Sequence, residues 1–130
     1  MKFTETEIYL CRQIAKEYRK EIKYGDWFYS EYLKEILCHR PFINSIRDHE
    51  IVNKDKKVTP LWTIEDCLEL LRRRNFIVSI LGQYPDDKTW LINIGKEFND
   101  KDFHSEGKTA LEACLKPILE VLKTKNKRVA

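Results

Sequence analysis

Apolar residues recur at helical spacing in three stretches of this chain, and each stretch opens with a threonine followed three places later by an acid: Thr4 with Glu7, Thr63 with Asp66, and Thr109 with Glu112. In that capping box the hydroxyl accepts from the backbone N–H three residues on, and the acid reaches back to the threonine's own N–H. The first helix is therefore expected over Glu5 to Lys23, with Ile8, Cys11, Ala15, Tyr18 and Ile22 as its buried stripe, Ile14 near the edge of it and Gly25 as its stop. The second starts at Thr63 and buries Ile64, Cys67, Leu68 and Leu71. Arg72, Arg73 and Arg74 at its end complement the negative pole of the helix dipole. The third starts at Thr109 and carries Leu111, Cys114, Leu115, Ile118, Val121 and Leu122, with Pro117 expected to bend or divide it.

Alternation replaces that periodicity elsewhere. Phe76, Val78 and Ile80 share one face of a strand, Trp90, Ile92 and Ile94 share one face of the next, and Gln83 to Asp87 form the turn between them. Ile77, Leu81 and Leu91 fall on the second faces, which predicts central strands covered at least partly on both sides. Trp27-Phe28-Tyr29 and Ile36-Leu37-Cys38 read as two short strands, although Ser30 to Glu35 could equally begin a helix. Residues 41 to 60 read as a long connection in which Ile51-Val52 forms a short edge strand, and residues 96 to 108 as a polar loop. The resulting order is α-β-β-α-β-β-α. It predicts an α+β fold in which three helices pack on an antiparallel sheet of about four strands. Residues 1–124 form a single domain, and 125–130 a basic, disordered tail.

Charge changes this picture only locally. The net charge of +3 falls to −1 over the first 122 residues once Lys123, Lys125, Lys127 and Arg128 are set aside, so the folded body is near neutral. A general polyanion binder would carry positive charge on its folded surface as well. On a helical wheel, however, Arg12, Lys16, Arg19 and Lys23 fall within about 60° of one another and form a basic ridge on the first helix. Such a ridge suits an acidic protein surface or a phosphate backbone. Trp27, Phe28, Tyr29 and Tyr32 add aromatic contact material beside it.

Chemistry is thinly represented. Gly107-Lys108-Thr109 imitates the end of a phosphate-binding loop, yet Asp102 holds the place of the first glycine, putting an anion where an anionic ligand would lie. Cys38, His39, His49 and His104 lack zinc-ligand spacing, and Cys11, Cys67 and Cys114 fall on apolar helix faces as reduced core thiols. Asp86 with Asp87, and Asp100 and Asp102 with His104 and Ser105, are adjacent in polar loops without a nucleophile held against an oriented base. No enzymatic activity, cofactor or metal is expected. The chain has no apolar run long enough to span a membrane and no secretion signal at its start, so a cytoplasmic address is expected.

Pro60-Leu61-Trp62-Thr63 opening a helix, the Trp90-x-Ile92-x-Ile94 strand and the Thr109-Ala110-x-x-Ala113 helix entry carry a resemblance. From Pro60 through Leu122 the chain resembles small prokaryotic proteins carried by phages and other mobile elements, including those described as phage ABA-sandwich-like. The resemblance implies a small α+β accessory protein and transfers no site residues. The reading as a whole is a non-enzymatic protein acting by contact with another protein. A nucleic-acid-associated regulator using the ridge and the basic tail is the alternative.

Overall fold

The computed structural model describes residues 2–40, 45–86, 88–96 and 103–128. Its elements run α1 (Glu5–Glu17), β1 (Trp27–Ser30), β2 (Glu35–Cys38), α2 (Ser45–Lys54), β3 (Val58–Pro60), α3 (Ile64–Arg73), β4 (Phe76–Gln83), β5 (Trp90–Lys96), β6 (Phe103–Gly107) and α4 (Ala110–Arg128). The fold is α+β. The strands form two antiparallel three-stranded sheets, ordered β2-β1-β3 and β4-β5-β6, where one sheet of about four was expected. The two expected hairpins, β1–β2 and β4–β5, do not pair with each other, and each gains a third strand, β3 or β6, whose composition hides it.

In β6 the residues are Phe-His-Ser-Glu-Gly, yet burial alternates, with Ser105 and Gly107 inside and His104 and Glu106 outside. Gly107 is required there: a Cβ would stand 2.6 Å from the backbone nitrogen of Ala113, so only glycine lets β6 run this close to α4. The β3 strand is Val-Thr-Pro, buried throughout, and pairs Phe28 with Pro60 on the edge of the first sheet.

All three threonine signals mark real helix starts. The boxes at Thr4 and Thr63 are complete in both directions. At α4, Thr109 Oγ1 accepts from the Glu112 N–H at 3.0 Å, while the Glu112 carboxylate takes the Lys108 N–H instead of that of Thr109. A link the spacing cannot show joins two of these starts: Glu7 Oε1 accepts from Thr4 N–H at 2.7 Å, and Glu7 Oε2 accepts from the Thr109 hydroxyl at 2.6 Å. The N-termini of α1 and α4, a hundred residues apart in sequence, thus share one buried carboxylate. Helix α4 passes through buried Pro117 as a single helix and packs on α1, α3 and β6. It continues to Arg128, so helical backbone carries the basic run where an unstructured tail was expected; lysines and arginines favour that end of a helix dipole.

The main core gathers Leu10, Cys11 and Ile14 of α1, Cys67 and Leu71 of α3, Ile92 and Ile94 of β5, and the buried side of α4 around Leu115 and Ile118. Each of the leucines and isoleucines contributes roughly 1.5–3 kcal/mol by leaving water. The four cysteines are free, and the three in the core lie where apolar spacing puts them. A second, smaller cluster holds Ile22, Phe28 and Val58.

That second cluster explains why α1 stops at Glu17 instead of Lys23. Ile14 belongs to one core and Ile22 to the other, and residues 18–23 connect them in a non-helical strap. The chain leaves the helix at Tyr18 in an extended conformation (φ −154°, ψ 125°), and an extended chain advances about 3.3 Å per residue against 1.5 Å in a helix, which favours the strap over continued helix between the two clusters. The second correction is α2, which occupies the stretch read as a connection with an Ile51-Val52 strand. Its Val52 is half-buried against the second cluster while Ile51 is 51% exposed, a helical rather than alternating use of two β-formers.

Candidate functional site

The four residues of the expected ridge do not share a helix. Arg12 and Lys16 lie on α1, whereas Arg19 and Lys23 lie on the strap. Arg19 donates from Nε to the carbonyl of Asn53 and from Nη2 to that of Val52, each at 2.9 Å, and so satisfies the last turn of α2. Burial lowers its pKa, against the opposing pull of Asp55. Lys16 is exposed, and the Lys23 backbone N–H donates to Asp26 Oδ2 at 2.9 Å. A continuous track for a phosphate backbone is therefore not formed by α1.

Arg12 alone enters a concave surface. Between α1 and the β1–β2 hairpin runs a groove of about 430 Å³ lined by Glu5, Ile8, Tyr9, Arg12, Tyr29, Lys34 and Ile36. Its floor follows from register: Tyr29 and Ile36 are directly opposed across β1 and β2 and so share a face, and Ile8 comes from α1. All three are half-buried and packed on the main core. Tyr9, 57% exposed, stands on the rim. The Arg12 guanidinium lies 5.1 Å above the Tyr29 ring, and its Nη2 is 3.2 Å from Glu31 Oε1. Its Nε is buried without a hydrogen-bond acceptor among the described residues. Lys34 adopts φ 54°, a left-handed conformation uncommon in residues with a Cβ, at the hairpin end of the groove. Beside it the turn exposes Tyr32 and Leu33 by 62% and 61%. Tyr32 Oη donates to Asp55 Oδ1 at 3.3 Å, which raises the phenol's pKa.

A polar cluster that the sequence did not reveal lies where the strap meets α2. His39, buried at the end of β2, has Nε2 3.1 Å from His49 Nδ1, and His49 Nε2 is 3.1 Å from Glu21 Oε1. Tyr24 stacks on His39 with ring centroids 4.7 Å apart. With Glu21 accepting from His49 Nε2–H, His49 Nδ1 is left to accept from His39. Asn53 completes the clip, accepting from the Ile22 N–H at 2.7 Å and donating to the carbonyls of Ile22 and His49. The histidines come together through tertiary folding, so no local spacing could have announced them. They fasten three segments to one another, and among the described residues no group of three ligating side chains could hold a metal ion.

Other candidates separate. His104 and Ser105 point to opposite faces of β6, His104 bonding Glu106 at 3.1 Å, so they cannot act as base and nucleophile. Asp87, Asp100 and Asp102 lie outside the described residues. The strap and α3 border a polar cavity of about 360 Å³ lined by both signs of charge, Lys20, Lys23 and Arg73 with Glu21, Asp26, Asp66 and Glu69. Its charges are largely matched internally: Lys20 Nζ is 2.9 Å from Asp66 Oδ2, and Arg73 Nη2 is 2.6 Å from Glu69 Oε1. Among the described residues no helix is long and apolar enough to cross a membrane. Comparison with protein-family models, curated proteins and solved structures finds no match to this chain.

Proposed function

We propose that the protein acts without catalysis, as a small accessory protein whose α1–hairpin groove docks an extended segment of another protein. The observation that carries this reading is the groove's composition. An apolar floor of Ile8, Tyr29 and Ile36 is bordered by Tyr9, Arg12 and Lys34, and such surfaces bind through a desolvated aromatic and arginine centre inside a polar rim. Among the lining residues Arg12 and Lys34 stand against one acid, Glu5, with Glu31 paired to Arg12 at the border and exposed enough to yield to a competing carboxylate. A segment presenting an apolar side chain to the floor and a neighbouring carboxylate to Arg12 and Lys34 complements this lining. The mobile-element resemblance of residues 60–122 fits an accessory role of this kind.

Selection of peptides from a random displayed library on the immobilised protein tests the reading. Enriched peptides should carry Asp or Glu beside Leu, Ile or Phe, and their binding should fall about tenfold or more in Arg12→Glu and in Tyr9→Ala. Enrichment of peptides that bind both variants as well as the parent would contradict it.

A further inference from the structure

The outer face of β4 was expected to be covered at least in part, and among the described residues that cover is incomplete. Ile77 is 53% exposed, and β4 is an edge of its sheet. Exposed edges ordinarily carry something that blocks another strand. Of the other three edges, β2 begins at Glu35, β3 is three residues long and ends in Pro60, and β6 has an outward His104 and Glu106. The eight residues of β4, Phe-Ile-Val-Ser-Ile-Leu-Gly-Gln, include no charge.

A bulge interrupts β4 between Val78 and Ile80, and it sets the strand's symmetry. Before it, Val78 pairs with buried Ile94 and Ile77 with Gly95; after it, Leu81 pairs with buried Ile92 and Gly82 with Leu91. Paired residues share a face, so Phe76, Val78, Leu81 and Gln83 belong to the inner face and Ile77 and Gly82 to the outer. This pattern reads the same in both directions about the Ser79–Ile80 bond. An unbulged strand of alternating residues would put inner against outer in that register.

We infer that the protein forms a symmetric dimer by antiparallel pairing of β4 with the β4 of a second copy, on a two-fold axis between Ser79 and Ile80. Val78 then faces Leu81 of the second copy on the inner side, where Leu81 is 37% exposed in the single chain. Ile77 faces Gly82 of the second copy on the outer side. A Cβ built on Gly82 meets no atom within 4 Å, so there is room for the isoleucine over the glycine. Charge selects the same orientation. Antiparallel pairing brings the arginine end of α3, where Arg72 is exposed beside the Glu69-paired Arg73, toward the turn carrying Asp86 of the second copy, whereas parallel pairing would set arginines against arginines. The two sheets join into one with β4 strands at its centre, and the interface is isologous and closed.

Sedimentation equilibrium over a wide dilution series tests this directly. The mass should rise from the 15.6 kDa of one chain to twice that value and go no further. Ile77→Lys, at an exposed position, should keep the circular dichroism and melting temperature of the parent and remain monomeric. Arg72→Glu and Asp86→Lys should each weaken the dimer, and the two combined should restore it, since the swap recreates the opposite-charge contact. A monomer at every concentration would overturn the inference. So would a dimer indifferent to Ile77→Lys, or a charge-swapped double variant no tighter than either single one.

Discussion

Glu7 is a carboxylate on the apolar side of α1, 4% exposed, and it is tolerated there because both of its oxygens accept a hydrogen bond, one from the Thr4 backbone and one from Thr109. Its removal takes away an N-terminal cap and the bond between two helix starts together. Glu7→Ala is expected to cost about 3 kcal/mol in urea unfolding, since a cap contributes roughly 1 and a charge-assisted bond roughly 1.5–3. A loss well under 1 kcal/mol would show that the two helices are held by apolar packing alone. The thiols separate by burial in the same way. Burial pushes Cys11 up to about 12 and Cys114 to about 11, and holds Cys67 well above its ordinary value, while Cys38 is only half-buried. A thiolate reagent should therefore label Cys38 promptly in the native protein and the other three only on unfolding. Prompt labelling of a second cysteine would contradict the core arrangement.

At the scale of elements, the strap is the feature on which most else rests. It is fixed to α3 by Lys20 on Asp66, to α2 by Arg19 and Asn53, and to β2 by the Glu21–His49–His39 chain. Asp66 reports on this attachment. Burial pushes its pKa up, but the hydrogen bonds from Lys20 and Thr63 outweigh that and hold it below the ordinary 3.8. A carboxyl lowered on folding contributes stability above its unfolded pKa and loses it as pH falls through the folded one. Stability should thus decline on acidification below the ordinary carboxylate range, and Asp66→Asn should be less stable at neutral pH with a flatter acid limb. An acid limb as steep in the variant would assign the decline to other carboxylates. Helix starts were legible because a capping box is local, three residues long and chemically specific. The end of α1 was not, because Tyr18 to Lys23 continue the helical periodicity in sequence and are drawn out only by Ile22 joining a different core. Strand β6 was missed for a related reason: its inward residues are serine and glycine, so burial alternates where hydrophobicity does not. Of the expected ridge, Arg12 was placed at a concave surface and Arg19 was consumed in capping α2, a distinction that depends on where α1 ends.

For the whole molecule, the fold leaves two kinds of exposed contact material on different elements. One is the groove between α1 and the β1–β2 hairpin, with charge at its rim. The other is the uncharged edge of β4, suited to a second copy. Because no residue is shared between them, a variant in one should leave the other intact, and Ile77→Lys serves as the control for groove binding. The measurement that bears most directly on a docking role is site-specific photo-crosslinking in native lysate from the position of Tyr9, compared with the exposed α4 position Glu120. The account predicts one protein captured from position 9 and not from position 120. Its crosslinked peptide should pair an acid with an apolar residue, and the purified complex should weaken about tenfold or more in Arg12→Glu yet not in Ile77→Lys. Equal capture from both positions, capture of nucleic acid alone, or a complex unaffected by Arg12→Glu would contradict it.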